Sequence, residues 1–156
     1  MKLKLITIGD QLPAWAKSAC DDYLKRLPPE FNFDLIELKA EKRGKNPDLK
    51  RLLEKEGERM LATIGPQEKV ISLDERGKLW TTLELSEQLQ NWRDENHSIC
   101  LLIGGTDGLA PACKKRAEYS WSLSPLTLPH ALARVLVLEQ LYRAFTILTH
   151  HPYHRA

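Results

Sequence analysis

One segment restricts the possible folds of this chain more than any other. From Leu123 to His130 it reads Leu-Ser-Pro-Leu-Thr-Leu-Pro-His, without a charged residue. It runs straight into Ala131–Thr149, a stretch with almost no polar side chains that reads as one helix about 28 Å long at ~1.5 Å per residue. Between Tyr119 and Leu138 the single formal charge is Arg134. A loop this apolar must pack against protein, ligand or both. A helix apolar almost all round is buried almost all round. One small sheet rarely covers such a helix, so the pattern also implies a subunit interface, most simply a two-fold dimer.

The sequence before that segment alternates between two hydrophobic periods. Lys2–Ile8 alternates as a strand. Leu12, Trp15, Ala16, Ala19, Tyr23, Leu24 and Leu27 then follow at helical spacing and predict one inward face, ended by Pro28–Pro29. Phe31–Leu38 has the composition of a second strand. Asn46 as N-cap and Pro47 at the first helical position open a helix to about Ile64, with Leu49, Leu52, Leu53, Met60, Leu61 and Ile64 inward. Lys69–Asp74 is a third strand and Glu75–Lys78 a turn. Thr81 and Glu84 have capping-box spacing before a helix lined by Leu85, Leu89 and Trp92. Ser98–Ile103 is continuously apolar, as a parallel strand covered on both faces requires. Pro111 starts a short helix to about Ala117, and Ser120–Leu123 is a fifth strand. Alternating strands and helices argue for a single α/β domain over residues 1–156, with a largely parallel sheet and helices on both faces.

Composition excludes several classes. Three widely spaced cysteines, Cys20, Cys100 and Cys113, with no C-x-x-C, fit reduced thiols in a cytoplasm rather than a disulfide framework. No apolar run reaches the ~20 residues of a membrane span. The first residues alternate like a strand and do not resemble a signal peptide. A net charge of +2 does not by itself imply a nucleic-acid partner.

In open parallel sheets, ligands bind outside the carboxyl ends of the strands. Three such ends carry unusual residues: Leu73–Asp74, Gly104–Gly108 and Leu123–Pro129. Gly104 and Gly105 either admit a ligand against the backbone or merely turn the chain. They belong to neither the dinucleotide nor the phosphate-cradling glycine motif. The Leu123–Leu128 loop is either an apolar wall for a flat heterocycle held by main-chain groups or a buried crossover. Arg134 lies in a first helical turn, where a cation opposes the helix dipole. It is a candidate to bind an anion or ligand, or to pair with a carboxylate. Glu139 and Arg143 can pair at i, i+4. His130, His150, His151 and His154 lack the spacing of a metal site, so none is expected. The tail from His150 to Arg155 mixes rings and cations. It can stack a base and meet phosphate, or lie disordered.

These residues carry a resemblance. Leu101–Gly105, Trp121, Ser122–His130, Arg134–Leu136, Glu139, Leu141–Ala144, Pro152–Arg155 and the Lys42–Asn46 loop closely resemble the ribosomal large-subunit methyltransferase H (RlmH) family over essentially the whole chain. The resemblance implies a SPOUT-type α/β fold whose C-terminal part threads a deep trefoil knot, which general folding rules would not suggest. It implies S-adenosyl-L-methionine as cofactor and a cytoplasmic homodimer. The implied reaction is methylation of N3 of a pseudouridine in helix 69 of 23S ribosomal RNA, on the assembled ribosome. It assigns Leu73, Gly104, Gly105, Leu123, Ser124, Pro125, Leu126, Thr127 and Leu128 to the cofactor. It assigns Arg134, Arg143, Tyr153, His154 and Arg155, with His130, to the substrate side. Lys42, Arg43 and Lys45 then aid ribosome docking or form a solvated loop. The competing reading is a non-catalytic ribosome-binding protein of the same fold.

Overall fold

A computed structural model describes residues 1–9 and 11–154. Its elements are β1 (Lys2–Ile8), α1 (Ala14–Arg26), β2 (Asp34–Leu38), α2 (Leu49–Thr63), β3 (Lys69–Leu79), α3 (Thr82–Asp94), β4 (Ser98–Ile103), α4 (Pro111–Arg116), β5 (Tyr119–Ser122) and α5 (His130–Leu148). Short 3₁₀ turns cover Pro29–Phe31 and Pro152–His154. The five strands form one sheet in the order β2-β1-β4-β3-β5, every neighbouring pair parallel.

The period-2 pattern sorts the core into two layers. Leu3, Leu5, Ile71, Ile99, Leu101 and Ile103 point to the face covered by α1, α3 and α5. Ile6, Ile8, Val70, Cys100 and Leu102 point to the face covered by α2 and α4, against Met60, Leu109, Ala110 and Cys113. The β4 residues Ile99–Ile103 are buried throughout because both layers close on them. All three cysteines are free and buried. Burial pushes the Cys100 thiol up to about 12, so it stays protonated and unreactive. No helix among the described residues is long and apolar enough to cross a membrane.

Five local readings change. Trp15 is 56% exposed, because the buried line of α1 runs through Ala16 and Cys20 and leaves Trp15 on its flank. Residues 31–33 do not join the second strand; the Pro29–Phe31 turn delays β2 to Asp34. The N-cap of α2 is Asp48, whose side chain accepts from the Arg51 N–H at 3.2 Å, and Leu49 is exposed at the helix mouth. The expected turn at Glu75–Lys78 is an excursion inside a longer strand. β3 pairs with β5 at Leu73↔Trp121 and resumes at Lys78↔Trp121, so residues 74–77 bow out between.

The fifth change concerns α5. It lies against the sheet between α1 and α3, with Arg134, Val137, Leu138, Leu141, Ala144 and Thr146 buried and the rest of the helix no more than half-exposed. Three helices side by side on one sheet face account for its apolar sequence. Apolarity alone therefore no longer requires a second subunit.

Candidate active site

The carboxyl ends of β3, β4 and β5 open into one cleft of about 840 Å³. Its floor is the β4 end, Ile103–Gly104–Gly105. One wall is the excursion of β3 at Leu73–Arg76, and the other is the loop Leu123–Pro129 that leads into α5. Leu73, Gly104, Gly105, Leu123, Ser124, Leu126, Thr127 and Leu128, expected on the cofactor side, all line this cleft. Pro125 does not; it is exposed on the same loop.

The local reasons are physical. Gly104 must be glycine, because a Cβ there would lie 2.3 Å from the Gly108 carbonyl carbon. The tight loop this permits closes with the Gly108 N–H donating to the Gly105 carbonyl at 3.0 Å. The 123–129 loop is braced from within and from across the cleft. The Ser122 hydroxyl donates to the Ser124 carbonyl at 2.9 Å, and the Leu126 N–H donates to the Ser124 hydroxyl at 2.9 Å. The Thr127 hydroxyl donates to Glu75 at 2.9 Å, tying the loop to the β3 excursion. Leu126 remains 71% exposed at the mouth. Trp121 forms part of the back wall, packed at 5.5 Å on Trp80, and its buried indole N–H has no partner among the described residues.

Sequence reasoning marks Asp74 and Asp107 only as members of special strand ends and misses Glu75, Arg76 and Lys114, which line the same cleft. It also misreads Arg43. That side chain bridges the buried Glu56 at 3.0 Å and Asp107 at 2.9 Å, so it braces the glycine loop against α2. Lys42 and Lys45 flank it in the same loop. A carboxylate 64 residues away in sequence leaves no local signal by which this contact could be found.

The substrate-side residues divide between the two ends of α5. Arg134 is 0% exposed. Its guanidinium donates to Glu37 at 2.6 Å, to the Gly9 carbonyl at 2.7 Å and to His130 Nε2 at 3.2 Å. In this chain these partners hold it as the carboxylate-pair alternative describes, and its Nε is buried without a partner among the described residues. His130 lines the cleft but uses both ring nitrogens, with Nδ1 at 3.0 Å from the Gly104 carbonyl. Burial and the adjacent guanidinium of Arg134 hold this imidazole below its ordinary value, against the bond to Gly104.

The other end is separate. Arg143 pairs with Glu139 at 2.7 Å and lies 4.9 Å from the Tyr153 ring centre. The Tyr153 hydroxyl donates to Glu139 at 3.3 Å and approaches Tyr23 Oη at 3.5 Å, while its ring packs on Tyr142 at 4.6 Å. Burial, with Tyr23 and Glu139, pushes the phenol well above its usual range, so it stays protonated. His154 adjoins this group, half-buried. Arg155 lies outside the described residues. From His130 to Arg143 is thirteen residues of helix, roughly 20 Å at ~1.5 Å each. One chain therefore does not bring the tail group to its own cleft. No group of three or more potential metal-binding side chains occurs among the described residues.

An all-parallel α/β sheet with a glycine-floored cleft of mixed apolar and polar lining at its strand ends defines a protein built to bind a small organic ligand. The family model described as predicted SPOUT methyltransferase matches residues 1–154, and the chain belongs to that family. Among solved structures, it is similar to a probable methyltransferase from Bordetella pertussis: 17% identity, 91% of this chain and 95% of that one, TM-score 0.57. A probable methylase family protein from Haemophilus influenzae is also similar: 14% identity, 97% of this chain and 69% of that one, TM-score 0.56. At these identities the likeness is one of fold.

Proposed function

We propose that this protein is an S-adenosyl-L-methionine-dependent methyltransferase of the RlmH kind. In this reading it is a cytoplasmic homodimer that methylates N3 of a pseudouridine in helix 69 of 23S ribosomal RNA on the assembled ribosome. The observation that carries the reading is the convergence of Leu73, Gly104–Gly105 and Leu123–Leu128, three segments far apart in sequence, on one cleft. The residues fit the cofactor. The volume lies within the usual range for organic ligands, roughly 300–1,000 Å³. The lining combines apolar side chains (Leu73, Ile103, Leu123, Leu128) with polar and charged ones, and Trp121 on that lining carries a buried indole N–H without a partner among the described residues. In the RlmH-like reading, the 123–129 loop and α5 belong to a trefoil knot.

The bound cofactor would supply an electrophilic methyl group on a sulfonium. Leu73, Leu123 and Leu128, which line the cleft, would hold the cofactor and exclude water from it. The substrate imide must lose its N3 proton, and a fixed cation stabilises the charge that develops. Arg143 suits that role, since Glu139 orients its guanidinium and Tyr153 covers it. The roughly 20 Å between this group and the cleft supports a site assembled from two subunits, with Arg143, Tyr153, His154 and Arg155 of one copy facing the cleft of the other. Ribosomes incubated with the protein and labelled cofactor, followed by mass spectrometry of the rRNA, test the proposal. One labelled methyl on a helix 69 pseudouridine is the expected result. Absence of cofactor binding by calorimetry would favour the non-catalytic ribosome-binding protein. Equal methylation of a free hairpin would remove the assembled ribosome as substrate.

A further inference from the structure

Four elements meet at the amino end of α5. The Gly9 carbonyl follows β1, Glu37 sits near the end of β2, the Gly104 carbonyl follows β4, and His130 and Arg134 lie one turn apart on α5. The hydrogen-bond directions are determined by chemistry. Arginine only donates, so His130 Nε2 accepts from Arg134 Nη2 at 3.2 Å. Nδ1 must then carry the ring proton, and it donates to the Gly104 carbonyl at 3.0 Å. The imidazole is thus neutral, in one tautomer, with both nitrogens engaged. Gly9, with φ +114°, passes so close that a Cβ would stand 3.2 Å from His130 Nε2.

We infer that His130 is a positioning residue: held by Arg134 and Glu37, it fixes the Gly104 peptide in the cleft floor, and its protonation releases that peptide. Protonation at Nε2 would replace the acceptor facing Arg134 by a second donor and a second positive charge. The ring must then move, and the bond to Gly104 is lost with it. The lowered proton affinity of the buried ring agrees with this direction. The charged groups around the relay are few. Arg134 and Glu37 are its own members. Lys17 and Asp21 of α1 border the cavity on the far side of Arg134, together with the Cys20 thiol. On the cleft side stand Asp107 in the glycine loop, Lys114 on α4, and Asp74, Glu75 and Arg76 on the β3 excursion.

The inference rests on the cleft being the cofactor site, and two readouts separate the two ideas. The first is hydrogen–deuterium exchange of peptides covering residues 103–109 in the ligand-free protein. The second is calorimetric titration with S-adenosyl-L-methionine at pH 8 and pH 5.5. In His130→Ala, exchange relative to the unaltered protein should rise about five- to tenfold at pH 8, the loss expected for one net hydrogen bond, and cofactor affinity should fall by a similar factor. His130→Asn keeps a donor near the Nδ1 position and cannot titrate. It should restore both values at pH 8 and abolish the weakening that the unaltered protein shows at pH 5.5. Unchanged exchange in His130→Ala, or an Asn variant with the same pH response as His130, overturns the relay. Exchange that follows His130 in a protein that binds no cofactor leaves the relay standing and overturns the cofactor reading instead.

Discussion

The two ends of α5 carry two arginines with opposite fates. Arg134, in the first turn, is wholly buried and holds a carboxylate, a backbone carbonyl and a histidine ring. Arg143, about two and a half turns later, is partly exposed, paired within its own helix and stacked against a tail tyrosine. Both are arginines on a largely apolar helix, and both match the resemblance pattern. Their surroundings differ because the amino end of α5 lies at the strand ends, where Glu37 of β2 and the Gly9 carbonyl after β1 accept from Arg134, whereas Arg143 finds its partners in Glu139 of its own helix and Tyr153 of the tail. The first arrangement commits the Nη donors to the fold. The second leaves a preassembled cation near the surface, where only another molecule can use it.

Substitutions at the two positions should separate stability from activity. Arg143→Ala should lower methyl transfer about 10²–10³-fold, the size of one lost charge-stabilising group. It should change unfolding free energy by under ~1 kcal/mol, as expected for a partly exposed pair; single-turnover transfer and urea melts measure the two. Mixing Arg143→Ala with Gly104→Ala subunits should recover part of the activity if the site is shared between copies, and none if each chain is self-sufficient. Arg134→Leu should cost about 2–3 kcal/mol of stability, below the full value for a buried pair because Glu37 is 37% exposed. That corresponds to roughly 5–10 °C in Tm. A stable Arg134→Leu protein with transfer abolished would reverse the comparison and return Arg134 to the substrate side.

Acid should distinguish the cleft end from the rest of the fold. His130 binds its proton less readily folded than unfolded. The unfolded chain takes it up first, so stability is full above the ordinary value of about 6.5 and declines as pH falls below it. Glu68 also has a lowered folded value. Its burial opposes this, but hydrogen bonds from Lys4 and the Gly65 N–H, with the Lys4 charge, outweigh it. Its contribution is present above the ordinary value of about 4.3 and is lost as pH falls through the folded one. Thermal melts should therefore show a first decline as pH falls below about 6.5 that His130→Asn removes, and a second as it falls below about 4.3 that it does not. A smaller effect tests the basic loop. Arg43→Ala should cost about 2 kcal/mol by unpairing the buried Glu56. Lys42→Ala and Lys45→Ala should stay within about 0.5 kcal/mol and weaken only ribosome binding.

Much of the fold is readable in the sequence because its signals are local. β1 and β4 show their periods, Thr81 is the N-cap of α3 and accepts from the Glu84 N–H at 3.1 Å, and Gly65 follows the end of α2. Misreadings arise where two local signals compete. Asn46–Pro47 masks Asp48 as the start of α2, and spacing alone turns Trp15 inward. The bowed segment at 74–77 reads as a turn in sequence; only the second pairing with β5 makes it a wall of the cleft.

By itself, the sequence determined that strands and helices alternate, that β4 is covered on both sides, that the glycine loop and the chargeless 123–130 segment are special, and which family the chain resembles. Those properties follow from side-chain periodicity and from residue types that only certain backbones accept. The tertiary structure alone decided which charges meet. Glu37 and Arg134 are separated by 97 residues, and Arg43 and Asp107 by 64. Ion pairs of that kind are created by strand order, because β2, β1 and β4 lie side by side and bring their loops to the foot of α5.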